Sequence, residues 1–344
     1  MAKIAIIGAS GKLGSATISA LLTYKLTPAS DIVALTSSTP DSQTWGKLAA
    51  TGAEVRHARF EDPATLERAL QGVDRLFLIS TPAIALDFGV AADFDGTSAD
   101  AAASAQRSGA NPGRESQHKN AIDAAVKAGV KWITYSSLAF GFSGGAAART
   151  SKAGVMRAHL RTEAYLGSAS AAHGVKVTIL REGLYNESWP LYLGYFDAGG
   201  AQSERDVVVL AGDGKICWTA TRDLGVASAL VLSSSDEGGE FAGRTFYLST
   251  RPATAKTMAD VARLVGEARG RAVEVKIVGR GEHERFYVEE MGKPRPAVEW
   301  WASTYEALED GEAFVDDGML ETLLGRVGLS PIPIEETIAA MVKG

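Results

Sequence analysis

The sequence predicts an α/β fold in which a doubly wound parallel sheet is followed by a smaller C-terminal substrate lobe. Two observations predict it. Short β-branched segments alternate with amphipathic helical patterns through residue 180, as in repeated βαβ units. The first strand also runs directly into Gly8-Ala9-Ser10-Gly11-Lys12-Leu13-Gly14, a glycine-rich turn that opens a helix. Together they predict a Rossmann-type domain over residues 1–185 and a lobe made mainly of residues 186–344.

Seven segments have the length and composition of strands, and the seventh is predicted to return to the sheet from the C-terminal half. They are residues 3–7, 32–35, 54–60, 75–80, 131–135, 175–180 and 245–248. Apolar residues at helical spacing predict the helices between them. One such face contains Leu13, Ile18, Leu21 and Leu22, and another contains His118, Ile122, Ala125 and Val126.

Two regions depart from this alternation. Residues 87–113 are rich in Ala, Ser, Gly and Asp and are predicted to form a long loop, either a lid over a substrate or a surface insertion. After Glu182 the pattern becomes irregular, and a group of large aromatic residues predicts an aromatic-rich lobe. The group contains Trp189, Tyr192, Tyr195, Phe196, Trp300 and Trp301.

Composition excludes several classes of function. The 344-residue chain has a net charge of -6 and no cluster of Lys or Arg, so no nucleic-acid partner is expected. Cys217 is the only cysteine, so neither an intrachain disulfide nor a Cys-based metal site is expected. No apolar run approaches the roughly 20 residues of a membrane span, and no signal peptide is recognised. We therefore expect a cytoplasmic protein with a small-molecule substrate, either monomeric or a homodimer.

The glycine-rich turn predicts a dinucleotide site. Gly8 would allow the tight turn, Gly11 would let the main chain approach a pyrophosphate, and Gly14 would let the helix pack closely on the sheet. The helix N-terminus would then present unpaired N–H groups to the phosphates. The other residues predicted to contact the cofactor in this turn are Ser10, Lys12 and Leu13.

The end of the second strand bears on which nicotinamide cofactor binds. The segment Leu35-Thr36-Ser37-Ser38-Thr39 contains no carboxylate to hold the ribose hydroxyls and repel a 2′-phosphate. NADP is therefore preferred, with NAD as the alternative, and the phosphate would rely on Ser37, Ser38, main-chain amides and Lys12. The same residues would also serve as simple turn formers.

Other strand ends supply further candidates for the cofactor site. Asp62 would either bond the adenine amine or cap the helix that begins with Pro63. Ser80, Thr81 and Pro82 follow the fourth strand and are expected to border the ribose on the nicotinamide side. Tyr135, at the end of the fifth strand, completes the predicted set.

Several longer segments together indicate a family. They are IIGASGKLG, ALQGVDRLFLIS, AIDAAVKAGVKWITYSSL, HLRTEAYL, TILREGLYNESW and GDGKICWTATRD. Over most of its length the chain resembles the NmrA-like branch of the atypical short-chain dehydrogenases, and most closely the type 2 NAD(P)H quinone oxidoreductases. The resemblance implies a Rossmann domain, NADP and a substrate lobe. Ser37 stands where the family usually has an arginine, and the 87–113 insertion has no counterpart.

Typical short-chain dehydrogenases carry a tyrosine and a lysine four residues apart on one helix face, where the lysine lowers the pKa of the phenol. This chain has Val155 and His159 at those positions. The predicted catalytic set is therefore the group of hydroxyl and imidazole side chains near the strand ends: His159, Ser136, Ser137 and Tyr185. Each would equally serve a packing role.

These observations favour an NAD(P)H-dependent oxidoreductase that transfers hydride to a quinone or another flat conjugated carbonyl compound. A quinone is reduced to a stabilised phenolate, so it needs a weaker proton donor than a ketone does. Two alternatives stay open. One is a non-catalytic NAD(P)-binding redox sensor that binds a protein partner, and the other is a specialised reductase or isomerase of aromatic natural-product biosynthesis.

Overall fold

The computed structural model describes residues 2–82, 113–142, 148–197, 205–235 and 239–343. The predicted insertion at residues 87–113 lies outside these ranges except for Gly113, which begins a helix. The chain forms two compact units, and the predicted boundary at residue 185 stays a prediction. The first unit contains Met1–Ser137, Ala158–Leu180 and Gly225–Thr245, and the second contains Leu138–Arg157, Arg181–Leu224 and Phe246–Gly344.

All seven predicted strands occur, and they form one sheet. They are β1 (Ile4–Ile7), β2 (Ile32–Thr36), β3 (Glu54–His57), β4 (Arg75–Ile79), β5 (Trp132–Leu138), β6 (Lys176–Glu182) and β8 (Thr245–Leu248). Their order in the sheet is β3-β2-β1-β4-β5-β6-β8, so the chain winds outward in both directions from β1. The pairings of β1 with β2 and β4, of β2 with β3, and of β4 with β5 are parallel. The predicted α/β doubly wound fold is confirmed.

Helices follow the strands, and their ends have local causes. Asp62 caps a helix by accepting hydrogen bonds from the amides of Ala64 and Thr65, with Pro63 at the first helical position. The described helices are α1 (Lys12–Thr23), α2 (Gln43–Ala49), α3 (Pro63–Ala69), α4 (Gly113–Lys127), α5 (Gly154–His173), α6 (Trp189–Tyr192), α7 (Thr221–Leu232), α8 (Met258–Arg269), α9 (Arg280–Arg285), α10 (Arg295–Glu309), α11 (Met319–Gly325) and α12 (Ile334–Lys343). Within the described ranges, no helix combines the length and the apolar character of a membrane span.

The second unit contains two strands that the sequence pattern did not predict. β7 (Val207–Leu210) and β9 (Glu274–Ile277) pair in parallel as a separate two-stranded sheet. The core of this unit is aromatic, as predicted. Trp189, Tyr192, Phe196 and Trp301 are all buried, and the ring of Tyr192 packs edge-on against Trp301 at 5.0 Å between centroids.

Candidate functional site

The carboxyl ends of the central strands lie at one edge of the sheet. Ile7 in β1 pairs with Leu35 in β2 and with Leu78 in β4, and Leu78 pairs with Tyr135 in β5. Because these strands are parallel, the segments that follow them emerge side by side. The register therefore brings together most of the predicted cofactor residues, which belong to residues 8–14, 37–38 and 80–82.

The turn after β1 has the geometry expected of a glycine-rich cofactor loop. Gly8 has a φ of +79°, which a side chain rarely adopts, and the amide of Gly11 donates to the Gly8 carbonyl at 2.9 Å. A Cβ atom on Gly14 would lie 2.4 Å from the Gly8 oxygen and 2.8 Å from Cα of Ala9. Only glycine fits at position 14, so α1 packs directly on the turn.

The N-terminus of α1 offers donors for an anion. Gly11 is the N-cap and brings no side chain, and the first turn contains no acidic residue. The amide of Ser15 is bonded to the Gly11 carbonyl, whereas the amides of Lys12, Leu13 and Gly14 precede the first intrahelical bond. Their N–H groups and the positive end of the helix dipole favour a phosphate here. A pyrophosphate therefore fits the residues that are present.

The segment after β2 forms a turn at the same edge. The amide of Ser38 donates to Oγ1 of Thr36 at 3.2 Å, and the Ser38 carbonyl accepts from Nδ1 of His57 at 3.2 Å. Ser37 is exposed, as is Lys12, whose ammonium group makes no ion pair within the described ranges. The side chains of Ser37 and Lys12 are accessible to a 2′-phosphate, and the hydrogen bond from His57 holds the turn that carries Ser37 and Ser38.

Asp62 has the structural role that the sequence allowed. One carboxylate oxygen caps α3 through the amides of Ala64 and Thr65, at 3.1 and 3.4 Å. The predicted contact of Asp62 with adenine stays a prediction.

Behind the ends of β4 and β5 lies a buried polar network that belongs wholly to the first unit. Tyr135 is fully buried, and its hydroxyl lies 2.9 Å from Nδ1 of His159. Nε2 of the same ring lies 3.3 Å from Nη1 of Arg114. A guanidinium only donates, so Nε2 accepts and the ring proton is on Nδ1. His159 is therefore neutral in this arrangement, and its Nδ1–H donates to the Tyr135 oxygen.

The fully buried His118 joins this network from α4. Its Nε2 accepts from the amide of Thr81 at 3.2 Å, which places the proton on Nδ1, and Nδ1 then donates to Oγ1 of Thr162 at 2.8 Å. Thr162 in turn donates to the carbonyl of Ala158 at 2.8 Å. Burial, reinforced by the charge of Arg114, lowers the pKa of His118 to about 3. His118 is therefore neutral at physiological pH.

The network continues from Thr81 toward the surface. The Thr81 hydroxyl donates to Oε1 of the buried Gln117 at 2.7 Å. The side-chain Nε2 of Gln117 then donates to Oε1 of Glu61 at 2.8 Å. Nε of Arg114 donates to the Thr81 carbonyl at 2.8 Å. Thr81, the residue that follows Ser80 beyond β4, is thus fixed through its amide, carbonyl and hydroxyl.

The predicted catalytic residues lie in different surroundings. Ser136 is buried in β5, and the hydroxyl of Ser137 donates to Glu163 on α5 at 2.5 Å. His159 is part of the buried network. Tyr185 belongs to the second unit, where its hydroxyl donates to Glu182 at 2.7 Å. The first unit thus brings His159 next to Tyr135, and each of the four side chains keeps its catalytic role as a prediction.

Arg114, Gln117, Thr162 and Glu163 were not predicted as site residues, and His118 was interpreted only as part of a helix face. A signal was present in the spacing. Arg114 and His118 are four residues apart, so they share one face of α4, and the pattern places that face toward the sheet. A charged residue on a buried helix face needs partners, which makes it a better site candidate than its neighbours. Within the described ranges, no group of His, Cys, Asp or Glu could hold a metal ion.

Comparison with known proteins gives the family. The profile of the NmrA-like family matches residues 1–148. An NmrA-like family domain-containing oxidoreductase of Aspergillus flavus, flvB, is 30% identical over 340 residues, which covers 98% of this chain and 94% of the relative. This chain belongs to the NmrA-like family. Quinone oxidoreductase 2 of Escherichia coli is 31% identical over 326 residues, covering 94% of this chain and 93% of the relative.

Solved structures of the same family agree with this fold. The triphenylmethane reductase of Citrobacter sp. in complex with NADP(H) superposes with a TM-score of 0.72 at 28% identity, covering 98% of this chain and 99% of that one. The NADPH complex of the E. coli quinone oxidoreductase QOR2 gives 0.71 at 29%, with the same coverage. The predicted family is confirmed. Both curated relatives are oxidoreductases, as this chain is predicted to be, and both complexes agree with the predicted preference for NADP.

Proposed function

We propose that this NmrA-like protein is an NADPH-dependent oxidoreductase that reduces a quinone or another flat conjugated carbonyl compound. The observation that carries the proposal is the corner between β1 and α1, where Gly14 packs against Gly8 and leaves bare amides at the helix N-terminus. Support comes from the similarity to a quinone oxidoreductase over 94% of the chain.

The cofactor would be held by main-chain amides and a few side chains. The amides of residues 12–14 would bind the pyrophosphate, while Lys12, Ser37 and Ser38 would bind the 2′-phosphate in the absence of the arginine usual in the family. The segment Leu35-Thr36-Ser37-Ser38-Thr39 contains no carboxylate to repel that phosphate. When bound, the reduced nicotinamide supplies a hydride to the acceptor, and a proton from solvent completes the hydroquinone.

The buried residues behind the site would position their neighbours rather than donate a proton to the acceptor. Burial raises the pKa of the Tyr135 phenol far above its usual range, so this group stays protonated and is unsuited to tyrosinate chemistry. His159 has both ring nitrogens engaged, which suits it to holding Tyr135 in place. Ser136, near the end of β5, is the proposed donor to the acceptor oxygen, because the only hydroxyl proton of Ser137 is already donated to Glu163. Reduction of a quinone needs no stronger proton donor, because the reduced oxygen is a stabilised phenolate.

The first test separates binding from turnover. NADPH and NADH are titrated against the full-length protein by calorimetry, and nicotinamide oxidation is then followed with a panel of quinones and enones. We expect tighter binding of NADPH, and turnover with at least one quinone. Lys12→Ala should weaken NADPH binding about 5-fold to 30-fold, which corresponds to the roughly 1–2 kcal/mol of one charge-assisted contact.

The controls distinguish the ways in which the proposal can fail. Lys12→Arg keeps the positive charge and should bind NADPH nearly as well as the parent, while NADH binding should be unchanged in both variants. If NADPH bound tightly but no acceptor oxidised it, the result would contradict the proposed enzymatic activity and favour the redox sensor. No affinity for either nucleotide would overturn both functions.

A further inference from the structure

The outer edge of β9 exposes main-chain groups that the second unit leaves unused. The amide of Glu274 donates to the Asp206 carbonyl and that of Val278 donates to Leu210, so even-numbered residues of this segment face β7. The amides and carbonyls of Val275 and Ile277 therefore point away from β7. Within the described ranges they make no hydrogen bond, and Ile277, at 51% exposure, is one of the most exposed large apolar residues.

The sequence of this edge is complementary to itself. When two copies of β9 pair in antiparallel fashion around a two-fold axis at Val275, each Val275 lies opposite its equivalent. Both face outward, so they exchange two N–H···O bonds as a hydrogen-bonded pair. In the same register Val273 lies opposite Ile277, which continues the apolar row on one face. On the other face, Glu274 lies opposite Lys276 of the second copy, and the reverse.

Glu274 and Lys276 are the charged residues that this register brings together. Glu274 and Lys276 are both exposed, and neither forms an ion pair in the described part of the structure. Charged residues on a strand edge normally discourage pairing with an unrelated strand. Here the alternation of Glu and Lys disfavours every register in which like charges lie opposite each other, and it favours the register centred on Val275.

We propose that a second copy of this chain docks on the outer edge of β9, in antiparallel register about Val275. The contact is a continuous four-stranded arrangement of β7 and β9 from each copy. A strand pair of this length buries less surface than a permanent dimer interface, so the association is reversible and depends on protein concentration. The dissociation constant is expected to be micromolar or weaker.

Charge reversal tests the register directly. The full chain and its variants are examined by sedimentation equilibrium up to about 1 mM protein, which covers weak association constants. The parent protein should approach twice its chain mass of 36.1 kDa. Glu274→Lys and Lys276→Glu each turn two attractive cross-strand pairs into repulsive ones, so each should weaken self-association about tenfold or more.

Two matched controls carry the same substitutions with the attraction restored. An equimolar mixture of the two single variants should associate as heterodimers, because a chain with lysine at both positions then faces a chain with glutamate at both. The double variant Glu274→Lys, Lys276→Glu should self-associate like the parent. Unchanged NADPH binding in each variant verifies the fold. A parent that stays monomeric, single variants that associate like the parent, or a mixture that stays monomeric would each overturn the proposal.

Discussion

The hydrogen-bonded network of the first unit and the aromatic core of the second unit bury polar groups in contrasting ways. In the first unit the buried side chains of Thr81, Gln117, His118, Tyr135 and Thr162 all take part in one hydrogen-bonded network. In the second unit, several polar atoms buried in the aromatic core have no hydrogen-bond partner among the described residues. They include Nε1 of Trp189, Trp218 and Trp301, Nε2 of His283 and Oγ1 of Thr304.

This difference separates two sources of stability. A buried network in which every group is hydrogen-bonded stabilises one particular arrangement of its side chains, because removing one member leaves another donor or acceptor unpaired. An aromatic core with unpaired polar atoms is held by packing and apolar burial, and its polar atoms oppose folding. The network fixes the position of Thr81, which follows β4, and of Tyr135 within β5, next to the candidate site.

The largest expected effect comes from the aromatic core. Trp301→Ala should lower the free energy of unfolding by about 3–5 kcal/mol, because it removes a buried ring that packs against Tyr192. Trp301→Phe should cost far less, since it keeps a ring and loses an N–H group that has no partner among the described residues. Urea denaturation followed by circular dichroism measures both. Equal losses in the two variants would show that the indole N–H group is bonded after all.

A second effect concerns pH and the network. The pKa of His118 falls from 6.5 in the unfolded chain to about 3 in the folded one, through burial. Below pH 6.5 the unfolded chain therefore binds the proton more readily, and stability is lost as the pH falls from there toward 3. The slope approaches about 1.4 kcal/mol per pH unit for one proton. His118→Gln should flatten the curve between about pH 6 and pH 4.

The control for this prediction is a histidine outside the network. His173→Gln makes the same substitution at an exposed position at the end of α5, and the difference between the two variants isolates the effect of the buried network on the pH profile. The free energy is measured by urea denaturation at closely spaced pH values. If His118→Gln and the parent gave parallel curves, the neutral state of His118 in the folded chain would be wrong.

The sequence predicted the sheet better than the site. β1 and β2 were found because buried parallel strands are nearly continuous apolar runs, and the glycine turn was found because its spacing is local. β7 and β9 were missed. β9 is half polar and mostly exposed, so the apolar pattern carries little information there. The network was missed because Arg114, Tyr135 and His159 come from three separate elements, and only the fold places them together.

The smallest expected effect comes from the same substitution, threonine to valine, made once in each unit. Thr162 and Thr304 are both buried, but Oγ1 of Thr162 accepts from His118 and donates to Ala158, whereas Oγ1 of Thr304 has no partner among the described residues. Thr162→Val should cost about 1–2 kcal/mol, because Nδ1–H of His118 loses its acceptor at 2.8 Å and keeps only the Tyr135 oxygen at 3.4 Å. Thr304→Val keeps the shape and removes an unpaired hydroxyl, so it should be neutral or stabilising by up to about 1 kcal/mol. Thermal and urea denaturation of the two variants give the signs. A loss of equal size at both positions would mean that the network and the aromatic core do not differ in how they satisfy these two hydroxyl groups.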